Sequence, residues 1–318
     1  AMTAALLVGV AALFPLFVVF LVVKTQDALR RFRPRRLPLT KDLLRGPGPS
    51  LKAVIDATHE NALDYVLVTF VSPIYALATA FGHRVFAGPD APTGVYVGFV
   101  IIGIGLSVYG AIQMARYRNR LRYLRLGLDG EVAVGEELNR LMLKGCYVFH
   151  DIPADGFNVD HVVVCNRGVY AVETKTRSKP DRGEGKSEAT VVFDGERLVF
   201  PDGADTAALQ QATRQANWLS QWLASATGVK TSVVPVLALP GWFVDRKGRG
   251  TVRVINPREA SKMFGNTAAV SDEQIQRIFH QLDRVCRDVA PVSTKAYQRK
   301  KRLMDNGARP AVTGDAAR

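Results

Sequence analysis

Hydrophobic and polar positions are distributed along this chain in two different ways. Residues 1–23, 65–82 and 91–115 contain no charged side chain at all. Runs of about 18–25 apolar residues are long enough to cross roughly 30 Å of hydrocarbon as helices. The pattern predicts three transmembrane helices, at 1–23, 62–83 and 91–115. From residue 129 onward the apolar residues become periodic. Val134, Leu138, Leu141 and Met142 form a helical stripe in 129–143, with Asp129 placed to cap its start. "CYVFHDI", "FNVDHVVVC" and "GVYAVETK" read as strands, the last two joined at Asn166-Arg167-Gly168. "TVVFDGERLVF" reads as a hairpin turning at Asp194-Gly195. A long helix is predicted over 205–226, strands at "SVVPVLALPG" and "TVRVINP", and a closing helix over 271–289. The order from 129 is α-β-β-β-α-β, with the hairpin inserted before the second helix.

Charge refines this picture. The formal net charge of the 318-residue chain is +13, which on its own suggests a nucleic-acid binder. Residues 1–126 carry 15 Lys and Arg against 6 Asp and Glu; residues 127–290 carry 20 against 21; residues 291–318 carry 7 against 2. The periodic domain is therefore neutral. The basic residues flank the apolar runs: nine in 24–61, one in 83–90 and five in 116–125. Positive charge marks the cytoplasmic side, and all three segments agree. The expected topology is multi-pass in the cell (inner) membrane, N-terminus outside, with everything after Arg116 cytoplasmic. Residues 24–61 read as a basic cytoplasmic loop, 116–128 as a basic juxtamembrane linker, 129–290 as the folded domain and 291–318 as a basic disordered tail. Arg30, Arg31, Arg33, Arg35, Arg36, Arg116, Arg118, Arg120 and Arg122 are candidates to meet anionic lipid headgroups of the bilayer. Gly94 and Gly98 offer a G-x-x-x-G for helix packing or homo-oligomer formation through the membrane helices. With three spans and no charge inside them, apart from Asp64 at an edge, a transporter or channel is disfavoured. Cys146, Cys165 and Cys286 match neither a disulfide framework nor a zinc site, and a reducing compartment suits them.

Two valine-rich strands carry charges that a half-buried strand does not tolerate unpartnered. With Asn166 and Arg167 as turn residues, Asp160 falls opposite Glu173; a register slipped by two pairs it with Lys175. In either case Asp160, Glu173 and Lys175 share one face. Two facing carboxylates about 5 Å apart repel. A divalent cation between them removes the repulsion, and a lysine alongside suits a phosphoryl transition state. A plain ion pair at a sheet rim is the competing reading of the same three residues. His150 and His161 read as strand-packed, since His161 points away from Asp160, and Trp218 and Trp222 as core.

"GLDGEVAVGEEL" (127–138), "NVDHVVVCNRGVYAVETK" (158–175), the Asp194-Gly195 hairpin and "LQQATRQANWL" (209–219) resemble, in that order, the nuclease-related domain (NERD) of the PD-(D/E)XK superfamily. The resemblance covers about residues 120–260 and does not extend to the apolar runs. It implies a restriction-endonuclease-like α/β fold, Mg²⁺ (or Mn²⁺) as cofactor and hydrolysis of phosphodiester bonds in nucleic acid, with DNA expected before RNA. Carried over residue by residue, it implies metal held by Asp160, Glu173 and the carbonyl of Thr174, with Glu131 holding a water or a second ion. It gives Lys175 the attacking water and the transition-state charge, and Gln211, or alternatively Gln210, the phosphate or the water. "ETKTRSKP" departs from the family, which more often continues with Asn and then Gly. The expectation is a membrane-anchored nuclease, with defence against or processing of foreign DNA as its setting. The alternative is a catalytically silent membrane tether that binds nucleic acid or protein on the same fold.

Overall fold

The computed structural model describes residues 18–22, 24–25, 41–60, 62–87, 92–183, 185–263 and 270–290. Most of the first predicted span, the arginine run at 30–36 and the basic tail lie outside these residues. Residues 18–22 and 24–25 are helical, and helix α1 (Pro49–Glu60) lies inside the segment read from sequence as a connecting loop. Helices α2 (Ala62–Ala87) and α3 (Thr93–Asn139) follow. Among the described residues, two helices rather than three are long and apolar enough to cross a membrane, by length and composition. Their outer faces leave Phe70, Ile74, Leu77, Ile101 and Ile104 exposed.

The two helices run antiparallel through glycine contacts. A Cβ on Gly103 would lie 2.7 Å from the Ala76 Cβ, and one on Gly110 would lie 2.5 Å from Thr69 Oγ1. Ser107 Oγ donates to the Thr69 carbonyl at 2.6 Å across the same seam. The expected Gly94-x-x-x-Gly98 motif takes no part in this seam, since a Cβ at either glycine would meet nothing within 4 Å.

Helix α3 does not stop at the end of its apolar run. Its 47 residues form one rod about 70 Å long at 1.5 Å per residue. The predicted third span, the basic linker and the predicted 129–143 helix are consecutive parts of that rod. Asp129 and Glu131 therefore sit in mid-helix, and neither caps a helix start. The rod ends in a 3₁₀ turn over Arg140–Lys144 and Gly145 at φ +78°.

The strands that follow among the described residues are β1 (Tyr147–Pro153), β2 (Asn158–Cys165), β3 (Gly168–Thr174), β4 (Thr190–Phe193), β5 (Leu198–Phe200), β6 (Gly203–Asp205), β7 (Val233–Ala238), β8 (Phe243–Arg246) and β9 (Arg253–Ile255). Helix α4 (Ala207–Thr227) crosses from β6 to β7, and α5 (Asp272–Cys286) closes the fold. The main sheet has the order β1-β2-β3-β7-β9, antiparallel through β3 and parallel from β3 to β9. A second sheet, β6-β5-β4-β8, packs through Phe193, Leu198 and Phe200 around Trp242. Val162, Val164, Val169 and Ala171 face Ala216, Leu219, Leu223, Ile278 and Leu282 of α4 and α5. On the other face Val163, Tyr170 and Val172 meet Val134 and Leu138 of α3 and Leu141 of the 3₁₀ turn after it. The predicted α-β-β-β-α-β order is present, with β6, β8 and α1 in addition.

The β4–β5 hairpin differs from its prediction by one residue. Phe193 pairs with Leu198, so Gly195 and Glu196 are the central turn residues, not Asp194 and Gly195. Gly195 has φ +107° and Glu196 is not left-handed, which excludes a I′ turn, since that type needs positive φ at both positions. Asp194 Oδ1 instead accepts the backbone N–H groups of Glu196 and Arg197.

Candidate active site

The β2–β3 register pairs Cys165 with Gly168 and His161 with Val172, so Asn166 and Arg167 form the turn. The next pair along is Asp160 with Glu173, and the slipped alternative is ruled out. The recorded ladder ends at His161–Val172, where the two strands part. Asp160 Oδ2 then accepts the Thr174 N–H at 2.7 Å, taking the place of a ladder carbonyl. Strand β3 continues beside β7, with the Lys175 N–H donating to the Ala238 carbonyl at 2.9 Å. The result is a notch at the end of the sheet, with a carboxylate on each lip.

Glu173 is 4 % exposed. Gln215 Nε2, from α4, donates to Glu173 Oε2 at 2.5 Å and to the Asn158 carbonyl at 3.1 Å. Gln211, one turn earlier on the same helix face, also acts to lower the Glu173 pKa. Gln210 lines a different groove with Arg214 and Arg249, so the geometry separates the two glutamines that sequence left open. Gln215 was legible only as a residue sharing the Gln211 face, yet it makes the shortest contact to Glu173. Its Oε1 is buried without a hydrogen-bond partner.

Glu131 comes from the opposite layer, on α3. Gly130 permits its approach: a Cβ there would sit 1.7 Å from Thr176 Oγ1, just past Lys175 on the β3 strand end. Gly130→Ala must push the rod away from that strand end. The expected result is a variant destabilised by about 1–3 kcal/mol with reduced activity, and Thr176→Gly in the same chain should restore part of both. Thermal unfolding beside a cleavage assay checks this.

The three carboxyl groups sense one another. Burial, then the charges of Asp160 and Asp151, push Glu131 up to about 8. Burial raises Glu173 to about 7 against the opposing hydrogen bond from Gln215, with Glu131 adding to the rise. Burial and the Glu173 charge hold Asp160 well above the carboxylate range despite the Thr174 N–H. The folded state thus binds protons more tightly than the unfolded state at these positions. Their contribution to stability is greatest below about pH 4.5 and is lost as pH rises through 7–8.

The position of Thr174 is fixed from behind. Thr174 Oγ1 bonds His161 Nε2 at 3.2 Å, His161 Nδ1 bonds His150 Nδ1 at 2.9 Å, and His150 Nε2 bonds Asn139 Oδ1 at 3.0 Å. Burial lowers His150 to about 4 and His161 well below its ordinary value. Both rings are neutral, and the chain runs in one direction, from the threonine hydroxyl to the asparagine carbonyl at the end of α3. The histidines are hydrogen-bonded within the strands, as the sequence suggested. Trp218 and Trp222 stack at 6.1 Å against the core.

Four residues at the rear of the site were not anticipated. Asp151, 2 % exposed and at φ +52°, accepts from Asn158 Nδ2 at 2.9 Å, Ser50 Oγ at 2.7 Å and Arg45 Nη1 at 2.9 Å. Arg45 also holds Asp288 beyond α5 through two contacts of 2.6 and 2.7 Å. The segment before α1 is thereby locked into the β-domain. The only sequence signal was a charged residue in mid-strand, which requires a partner but does not say where the partner lies.

Residues 126–240 match the nuclease-related domain family. No curated protein and no solved structure matches the chain. The family match spans α3 from Leu126, the notch and the strand β7 that carries the Lys175 backbone. The donors at this end of the sheet are oxygens: three carboxyl groups and the unpartnered Gln215 Oε1. Oxygen donors are what Mg²⁺ and Mn²⁺ take, and buried carboxyl groups that raise one another's pKa are what a divalent cation relieves. The set fits such an ion in chemistry. Among the described residues no three His, Cys, Asp or Glu side chains stand in a ready-made ligand arrangement.

Proposed function

We propose that the chain is a membrane-anchored, metal-dependent nuclease that hydrolyses phosphodiester bonds in nucleic acid, DNA in preference to RNA. The observation that carries the proposal is the β2–β3 register, which sets Asp160 opposite Glu173 at the sheet end with Gln215 bonded to Glu173, and with Glu131 near enough on α3 for its charge to raise Glu173. Asp160, Glu173 and the Thr174 carbonyl would hold Mg²⁺ or Mn²⁺, with Glu131 holding a water or a second ion. When bound, the ion supplies Lewis-acid polarisation of the phosphate and a lowered pKa for its water. Lys175, on the Glu173 face, orients the attacking water and offsets charge on the phosphate oxygens. Gln215 fixes the Glu173 carboxylate by its hydrogen bond, and Gln211 is left to reach a phosphate or the water. The histidine chain keeps the β3 end in register so that the Thr174 carbonyl keeps its aim. The neutral charge of 127–290 favours a short or single-stranded substrate, or one drawn in by the juxtamembrane arginines, because affinity for duplex grows with phosphates neutralised.

Anchoring is supported by the exposed apolar faces of α2 and α3 and by the arginines that follow residue 115. The charge distribution favours the inner membrane, the domain in the cytoplasm and the N-terminus outside. Processing or destruction of foreign DNA is the setting that follows from this chemistry at that place.

The lack of a ready-made ligand triad favours a second reading, in which the fold is a silent tether for nucleic acid or protein. Labelled DNA and RNA, single- and double-stranded, incubated with the full chain in detergent and Mg²⁺ or Mn²⁺, separate the two. The nuclease reading expects cleavage that EDTA abolishes, faster on DNA. Binding without cleavage on all four substrates supports the tether.

A further inference from the structure

A cavity of about 470 Å³ lies where α1, α2 and the middle of α3 meet, lined by Thr58, Tyr65, Gln113, Arg116, Tyr117 and Arg120 among others. Arg116 and Arg120 are one turn apart and share a helix face, so like charges face each other across a short gap. Among the described residues no carboxylate lines the cavity and neither guanidinium has an ion pair. The Tyr117 hydroxyl bonds His59 Nδ1 at 2.7 Å and its ring lies 6.3 Å from that of Tyr65, which fixes the wall. Ile112, exposed on α3, is one turn before Arg116. On the membrane reading this is headgroup depth, just beyond the apolar run.

We propose that this cavity binds a phosphate-ester anion, held between the forked donors of Arg116 and Arg120, and that the anion is the headgroup of an anionic phospholipid. An anion between the two guanidinium groups removes their repulsion and fills both forks. Gln113 adds a neutral donor through the Nε2 hydrogen that Tyr109 does not take, and Tyr65 closes one side. The depth of the cavity favours a lipid over a free phosphate, because an acyl chain leaving it can lie along the exposed apolar faces of α2 and α3. The proposal rests on the membrane-anchoring part of the function above and not on the nuclease chemistry.

The test reconstitutes the full chain into nanodiscs of phosphatidylcholine with and without phosphatidylglycerol, and measures retained phosphatidylglycerol by native mass spectrometry after detergent extraction. Three variants accompany the parent. Arg116→Ala/Arg120→Ala empties the cavity of charge. Arg118→Ala/Arg122→Ala removes the same charge from the same helix outside it. Arg116→Lys/Arg120→Lys keeps charge without the forks. The expected result is at least a tenfold loss of phosphatidylglycerol retention for the first, little change for the second and an intermediate loss for the third. Equal loss in the first two variants overturns the site in favour of diffuse surface attraction. Displacement of the lipid by millimolar inorganic phosphate overturns the lipid assignment. A chain that inserts into no nanodisc refutes the anchoring reading itself. If Arg116→Ala/Arg120→Ala fails to fold, the comparison of the lysine variant with Arg118→Ala/Arg122→Ala decides: equal retention in those two overturns the proposal.

Discussion

Glu173→Ala and Lys175→Ala are each expected to lower nuclease activity by about 10³-fold or more, the size of a lost transition-state interaction of about 4 kcal/mol. The two variants should differ in their cause and agree in their folding. Glu173 is a buried carboxyl group raised by desolvation and by Glu131. Removing it relieves repulsion while leaving the Gln215 amide short of one acceptor, so the melting temperature should move little. Glu173→Gln, which keeps an acceptor near Gln215, should be as inactive and no less stable than the parent. A rim ion pair, the plain alternative for these residues, predicts the reverse: preserved activity with a small loss of stability. Single-turnover cleavage and thermal unfolding on the same preparations distinguish the two.

Arg45→Ala is the second large effect, and it is structural. Arg45 is 16 % exposed in its side chain and Asp151 3 %, while Asp288 lies further out at 46 %. Removing the guanidinium strands the Asp151 charge in a buried site, where the loss of a partner costs on the order of 3 kcal/mol. The Ser50 and Asn158 contacts remain and limit the damage. A chain beginning at residue 120 lacks both Arg45 and Ser50. It should therefore unfold more readily than the full chain, and low activity in such a fragment would not speak against the catalytic site. Asp151→Asn should recover part of the stability in the Arg45→Ala background, because the stranded charge is gone. Chemical denaturation of the single and double variants measures the coupling.

The same distinction explains what the sequence made legible. The β2–β3 hairpin and the shared face of Asp160, Glu173 and Lys175 were readable from alternation and a short turn, whereas the choice of Glu173 over Lys175 as the residue opposite Asp160 came from the strand pairing itself. The main helices and strands after residue 129 follow from periodicity for the same reason. The continuous rod of α3 was not readable. Its apolar, basic and amphipathic thirds look like three units, and nothing local shows that no break separates them. Gly130 and Gly135 look like weak points in a helix, but each marks a close approach, to Thr176 and to Pro47. The Arg45–Asp151–Asp288 junction joins residues more than a hundred positions apart, and such pairings leave no periodic trace. Gln215 was visible only as a neighbour of Gln211, since the direction of a helix face relative to the sheet depends on packing that a single sequence does not display.

The central claim is that Asp160, Glu173 and Glu131 together make one cation site. Isothermal titration of Mn²⁺ or Mg²⁺ into the full chain in detergent, at pH 8 and at pH 6, tests it most directly. Glu131 near 8 and Glu173 near 7 must give up protons to bind, so affinity should fall sharply from pH 8 to pH 6, with more protons released per ion bound at the lower pH. Asp160→Asn should abolish the binding at both. Binding that is equal at pH 6 and pH 8 and unchanged by Asp160→Asn, or no binding at all, would contradict the account.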